Sequence, residues 1–232
     1  MFYSSIAIAA ALVTLIGFGP SYYFRFFDGG PRATISGIPF SPIYHLHGAL
    51  FSSWVLLFLV QTTLISNRRV AVHRRLGVLG GILATAMVIV GVTAGIVTAR
   101  KGGAPAGMDP LAFLIVPLGD MVMFAPLVAA AFVKRRDKET HKRLMLLAYA
   151  SLLPAPTARI HALSFLGPLV SFALAYSFSL AGATYDRVSR GRVHPVYKWG
   201  VPMLFLSVPI RLVVMNTAAW HAFARFLISR PG

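Results

Sequence analysis

Long apolar runs, separated by short polar or basic segments, make up most of this chain. A helix that crosses the hydrocarbon core of a bilayer needs about 20 predominantly apolar residues, and several runs meet that requirement. The pattern predicts seven helices, at 3–20, 43–65, 76–99, 111–133, 144–163, 165–185 and 200–222. We therefore expect an all-α fold, a polytopic transmembrane bundle of about seven helices that forms one unit over 1–232.

The basic residues predict the orientation of this bundle. They cluster at 66–75, 134–143 and 186–199, in alternate connections between the predicted helices. Lysine and arginine are enriched in cytoplasmic loops of membrane proteins. The three clusters therefore predict a cytoplasmic N-terminus and a C-terminus on the outer side.

Composition supports a membrane protein and limits the kinds of metal site that the chain can form. Hydrophobic residues make up 57% of the chain and charged residues 12%, whereas soluble domains carry roughly 25% charged residues. The net charge of +16 lies in the membrane-flanking segments, which argues for the lipid bilayer and against nucleic acid as the partner. The chain has no cysteine, which excludes disulfides, zinc–thiolate sites and iron–sulfur clusters and leaves histidine as the main metal ligand.

The second predicted helix carries a polar stripe. His47, Trp54 and Gln61 are spaced by seven residues and therefore share one helix face. Such a stripe in an otherwise apolar helix points at other helices and not at lipid. His45 falls on another face, so we expect it at headgroup level, hydrogen-bonded to the segment after the first helix.

Charged residues inside the predicted spans form a second set of candidates. Asp120, Arg159 and Arg211 lie within predicted helices, where an unpaired charge costs about 2.5–3.5 kcal/mol on insertion scales. We expect Asp120 to pair with Arg211 or with Arg159. Such a pair serves either as a structural clasp or as a site that handles protons or anions.

The histidines fall at two depths. The topology places His47 and His161 near the outer face and His73 and His141 at the inner face. Imidazole is the usual protein ligand of haem iron, so two inward histidines at one depth could hold haem b between them. We expect His47 and His161 to be the metal ligands, with His73 and His141 as further cofactor-binding candidates. Each also fits a simpler role, as a hydrogen-bonded interior residue or an interfacial residue.

The fifth predicted helix contains Pro154 and Pro156, close to Arg159 and His161. Proline removes a backbone donor and kinks or breaks a helix. A broken helix with adjacent polar residues is how many transporters build a site within the membrane. The alternative is a bend that only improves packing.

The residues "HLHG…W…Q…HRRLG…D…HKRLM" resemble those of a bacterial family of predicted inner-membrane proteins, a domain of unknown function. The resemblance covers residues from about 40 to 165 and implies a multi-pass protein of the bacterial cytoplasmic membrane. The two histidine levels are also similar in outline to two-haem b-type cytochromes. The chain departs from those cytochromes at His73 and His141, which the sequence places at loop edges.

The leading hypothesis is thus a bundle that holds haem and exchanges electrons with a quinone or a partner subunit. Two alternatives stay open. One is a non-catalytic subunit or assembly factor of a larger membrane complex. The other is a small transporter with its site at the proline-broken fifth helix.

Overall fold

The fold is all-α. The computed structural model describes residues 2–29, 37–160, 162 and 167–229, apart from the side chain of Asp28. It contains eight helices of twelve or more residues in those ranges, and no β-strand there. The longer helices are α1 (Phe2–Phe18), α2 (Pro42–Ser66), α3 (Val70–Arg100), α5 (Ile115–Val133), α6 (Lys138–Ala150), α8 (Pro168–Arg190), α9 (Pro195–Val214) and α10 (Ala218–Ser229). Two short helices are α4 (Pro110–Phe113) and α7 (Pro154–Thr157).

Five stretches of the described chain are helical, long and apolar enough to cross a membrane. They are Phe2–Phe27, Pro42–Ser66, Val70–Arg100, Pro110–Val133 and Pro195–Val214. Helix α3 is an example of a surface suited to lipid contact. The side chains of Val78, Ile82 and Ile89 are each more than 60% exposed. A row of large exposed aliphatic side chains is compatible with acyl chains and unfavourable in water. These five candidate spans support the prediction of a membrane protein, whereas the predicted number of about seven helices is not confirmed.

The helix boundaries differ from those predicted, mostly because helices continue into the basic segments. Helix α3 begins at Val70, so Arg74 and Arg75 belong to its first turns and not to a loop. Helix α8 continues to Arg190 and ends where Gly191 adopts a left-handed conformation, with φ +71°. Glycine is the usual residue at such a helix end. A helix can continue through basic residues at the membrane–water interface. The basic residues therefore show where the apolar run ends and not where the helix ends.

The predicted fifth helix is broken, as its two prolines suggested. Helix α6 ends at Ala150, four residues before Pro154, which is the residue whose carbonyl a proline ring would obstruct. The turn that follows is largely buried, and the hydroxyl of Thr157 donates a hydrogen bond to the carbonyl oxygen of Ser171 at 2.8 Å. Helix α1 packs so closely here that a Cβ atom on Gly17 would lie 2.2 Å from the carbonyl oxygen of Pro156.

The last predicted helix, 200–222, is two helices. Helix α9 begins earlier, at Pro195, and ends at Val214, and α10 then turns back to pack against α3 and α4. The indole nitrogen of Trp220 donates to the carbonyl oxygen of Leu111 at 2.8 Å and fixes α10 in this position. Phe223 and Phe226 of α10 stay half exposed.

The three basic turns and the first residues of α1 lie at the same end of the bundle, here called the basic end. Phe2 stacks on Tyr185 with ring centroids 4.0 Å apart, and the ammonium group of Lys142 lies 5.1 Å from the ring centroid of Tyr3. The opposite end carries the α3–α4 turn and α10. Helix α6 lies in the centre, where Leu146, Leu147 and Ala148 are almost completely buried.

Candidate functional site

Two histidine rings lie next to each other in a T-shaped arrangement near the basic end. His73 lies in the first turn of α3 and His141 in the first turn of α6. Their ring centroids are 6.3 Å apart, and the two ring planes are inclined at 82°. The sequence placed both at loop edges, and the structure corrects this because both helices begin earlier than predicted. Both residues are half-buried and sit on regular helix.

Hydrogen bonds hold the two histidine positions. Nδ1 of His141 lies 2.8 Å from the carbonyl oxygen of Ala131 at the end of α5. A carbonyl can only accept, so this contact requires the proton on Nδ1 and leaves Nε2 of a neutral ring free as a ligand. The side-chain amide of Gln61 donates to the backbone carbonyl of His73 at 3.3 Å. Nδ1 of His73 is buried and has no hydrogen-bond partner among the described residues.

Gly77 leaves open space on α3 beside these two histidines, here called the histidine pair. Gly77 lies one turn after His73, and a Cβ atom built on it would meet nothing within 4 Å. The same face of α3 continues with Gly80, Ala84 and Gly91, all buried. In the described part of the chain, α3 packs against α2 and α5 and not side by side with α6. The histidine pair therefore joins two helices that make few other contacts in the described part of the chain.

A second polar feature lies deep in the bundle, between α5 and α9. Nη1 of Arg211 donates to Oδ1 of Asp120 at 2.6 Å and reaches the carbonyl oxygen of Val116 at 3.4 Å. Both residues are buried. Gly119 makes room for the guanidinium, since a Cβ atom there would lie 2.5 Å from Nε of Arg211. Of the two partners expected for Asp120, the structure shows Arg211.

Arg159 has a different environment. Its Nη1 donates to the carbonyl oxygen of Ala155 at 2.6 Å, and its guanidinium carbon lies 4.6 Å from the ring centroid of Phe18. The chain has six carboxylate side chains. Five of them are described, and none of these five pairs with Arg159.

A cavity of about 860 Å³ connects several of these groups. Its wall is mainly apolar and reaches from Trp54 and Asp120 in the interior to Pro105 and Met108 in the α3–α4 turn. His47, Arg159 and Arg211 also line it. Its size falls within the range of about 300–1,000 Å³ that is usual for small-molecule pockets. We call it the outer cavity, because it lies at the end opposite the basic turns.

The stripe predicted on α2 lies against other helices. Trp54 is 2% exposed and meets Phe124 edge-on, with ring centroids 5.2 Å apart. His47 stacks on Phe51 at 4.1 Å, and its Nδ1 has no partner among the described residues. The expected contact of His45 is confirmed, because its Nδ1 lies 3.3 Å from the hydroxyl of Tyr22 in the segment after α1. His161, the predicted partner of His47, lies outside the described residues.

The sequence did not reveal an ion-pair cluster at the basic end. Arg143 and Asp186 are both fully buried, and Nε of Arg143 donates to Oδ2 of Asp186 at 2.7 Å. Glu139 accepts from Arg143 and from Arg190, each at 2.6 Å. The backbone nitrogen of His194 also donates to Asp186 at 3.2 Å. The cluster joins α6, α8 and the start of α9.

The electrostatics of this cluster favour its charged form. Partial burial of Glu139 acts to raise its pKa, but hydrogen bonds from Arg143, Lys142 and Arg190 outweigh it and lower the pKa to about 2. Burial likewise acts to raise the pKa of Asp186, and the hydrogen bonds from Arg143 and His194 lower it below its usual range. Arg143 was assigned to a basic loop. Asp137, which caps α6 by accepting from the backbone nitrogen of Thr140 at 3.2 Å, was the signal that it lies in a helix.

No group of three or more potential metal ligands occurs within the residues that the structure describes. The chain matches no family model, and it matches no curated protein and no solved structure. The resemblance to a bacterial family of unknown function thus stays a prediction.

Proposed function

We propose that this protein is an electron carrier of the bacterial inner membrane that holds haem b between His73 and His141. One observation supports this most: two imidazole rings from different helices lie next to each other in a T-shaped arrangement, with centroids 6.3 Å apart. Imidazole nitrogens bind metals at about 2.0–2.1 Å, so two rings on opposite sides of one iron have their centroids roughly 6 Å apart. The observed separation suits this arrangement.

The surroundings of the histidine pair also suit a haem. The contact of His141 with Ala131 at 2.8 Å orients the ring and selects its tautomer, as partners of ligating histidines do. Gln61 holds the backbone of His73, and the open space beside Gly77 is where a flat macrocycle would lie. When bound, haem would supply one-electron transfer. His73 and His141 would hold it.

The orientation of the bundle follows the positive-inside rule in this proposal. The basic end faces the cytoplasm, so that the N-terminus and the histidine pair lie on the inner side. The broken unit α6–α7 and helix α8 complete seven crossings, in addition to the five apolar spans. A quinone or a partner subunit would exchange electrons with the haem. The outer pair of His47 and His161 stays a prediction, and the proposal rests on the inner pair alone.

Haem content tests the proposal. The protein, expressed with added haem precursor and purified in a neutral detergent, should show a Soret band and a sharp reduced α-band with one haem per chain. His73→Ala and His141→Ala should each remove at least about nine tenths of the haem. The matched control His45→Ala, on α2, should keep it. A protein that folds but stays colourless, or a His141→Ala variant with unchanged haem, would contradict the proposal.

A further inference from the structure

We propose that the outer cavity binds an amphipathic carboxylate, a molecule with a long apolar body and one anionic headgroup, and that Arg159 pairs with this headgroup. The proposal rests on the contacts of the cavity alone and does not depend on haem binding. No residue of the histidine pair lines the cavity.

The charge balance of the cavity favours an anion. Two guanidinium groups line it, and Asp120 is the carboxylate among its lining residues. Asp120 is already paired with Arg211 at 2.6 Å, so the charge of Arg159 is not balanced by any of the five described carboxylates. An unpaired charge away from water is costly until it finds a counter-charge. One monoanion would neutralise the cavity.

Unused donors in the cavity wall support a ligand with acceptor oxygens. Nη2 of Arg211 is buried and has no hydrogen-bond partner among the described residues, and Arg211 is only 6% exposed. The indole nitrogen of Trp54 is also buried without a partner in that part of the chain. Buried donors in folded proteins are almost always satisfied. A bound molecule that carries oxygen atoms would satisfy them.

The shape and lining of the cavity favour a long apolar body on the ligand. The cavity reaches from the interior to the α3–α4 turn, and Phe18, Tyr22, Phe40 and Phe51 contribute aromatic wall. Arg159 follows directly on the short helix α7, whose residues Pro154 and Pro156 also line the cavity. Irregular backbone at membrane depth is tolerated where it is buried in protein or lines a cavity. The helix break at the two prolines and Arg159 therefore lie in the same part of the cavity wall.

Direct binding tests this inference. A radiolabelled long-chain fatty acid is bound to the full-length protein in a neutral maltoside detergent and measured by scintillation proximity. We expect saturable binding of one molecule per chain. Arg159→Gln should weaken it by about tenfold to a hundredfold, the usual loss when a charged hydrogen bond is removed. Arg159→Lys should recover part of the affinity, and Arg187→Gln at the basic end should leave it unchanged.

Two further measurements keep the test decisive if Arg159→Gln does not fold. The fatty alcohol of equal chain length should compete at least about tenfold less well against the wild-type protein. Equal competition would contradict a headgroup site and would mean that only apolar volume is recognised. A content of two haems per chain would also overturn the inference, because the outer cavity would then hold the second. One haem, or none, with saturable fatty-acid binding supports it.

Discussion

Arg143 and Asp186 form a fully buried ion pair that joins α6 to α8. Nε of Arg143 donates to Oδ2 of Asp186 at 2.7 Å, and Nη2 donates to Oδ1. Neither side chain has any exposed surface. Removing one partner of such a pair leaves an uncompensated charge in the interior. This destabilises the protein by far more than the intact pair stabilises it.

The first prediction concerns this pair. Asp186→Asn should lower the free energy of unfolding by about 3 kcal/mol, somewhat less than a completely unpaired charge would cost, since Glu139 still binds Arg143. Thermal unfolding in detergent, followed by circular dichroism, measures the change. The control Lys142→Gln removes a partly exposed ion pair with Glu139 and should cost less than about 1 kcal/mol. Similar losses in the free energy of unfolding for the two variants would contradict the burial of Arg143 and Asp186.

The second prediction concerns Asp120 and Arg211. Asp120→Asn should destabilise the protein by about 3 kcal/mol, because it leaves the guanidinium uncompensated in the bundle interior. The double variant Asp120→Leu/Arg211→Met should regain most of that loss, since it removes both charges together. Unfolding of the single variants Asp120→Leu and Arg211→Met and of the double variant gives the coupling energy, which should exceed about 1 kcal/mol. Additive losses would show that the two residues do not depend on each other.

The third prediction concerns pH. The folded pKa of Glu139 is about 2, below its ordinary value of 4.5. Its contribution to stability is therefore complete above pH 4.5 and is lost as the pH falls toward 2. Glu139 is partly exposed, so the effect should be about 1 kcal/mol. Unfolding temperatures between pH 6 and 3 should fall less steeply in Glu139→Gln than in the wild type, whereas Lys138→Gln should follow the wild type. An unchanged slope in Glu139→Gln would count against the cluster.

The fourth prediction separates haem binding from folding. Gly77→Leu places a side chain in the open space beside His73, where an added Cβ atom meets nothing within 4 Å. It should keep the unfolding temperature of the haem-free protein or raise it slightly, because glycine is unfavourable in a helix. It should nevertheless lose most of the haem. Ala71→Leu, at an exposed position of the same helix, should retain haem. Full haem content in Gly77→Leu would place the macrocycle elsewhere.

Hydropathy was sufficient to predict the all-α membrane fold, because apolar runs such as those of α2 and α3 report directly on their surroundings. It was insufficient for α6, which is central and yet only thirteen residues long. Its first turns carry Glu139 and Arg143, so that a helix buried by protein has the composition of a loop. Local apolar content cannot distinguish burial in lipid from burial by other helices.

The sequence indicated individual residues of the candidate site, but it did not indicate which of them lie close together. The periodicity of α2 correctly indicated that Trp54 lies in the interior. The cost of charge within the predicted spans led to the pairing of Asp120 with Arg211 or Arg159, and the structure shows Arg211. The proximity of His73 to His141 depends on where α3 and α6 begin, and helix ends are poorly defined by sequence. The same uncertainty concealed Arg143 and Asp186, which the sequence placed in loops.

Electron paramagnetic resonance of the oxidised, haem-loaded protein tests the central claim most directly. The two imidazole planes of the histidine pair are inclined at 82°. Haem held by two near-perpendicular imidazoles would give a highly anisotropic low-spin ferric signal with one large g value, and this is the signal that we expect. His73→Ala should convert this signal to a high-spin one. A rhombic low-spin signal typical of parallel imidazoles, or a low-spin signal that persists in His73→Ala, would contradict the proposed ligation.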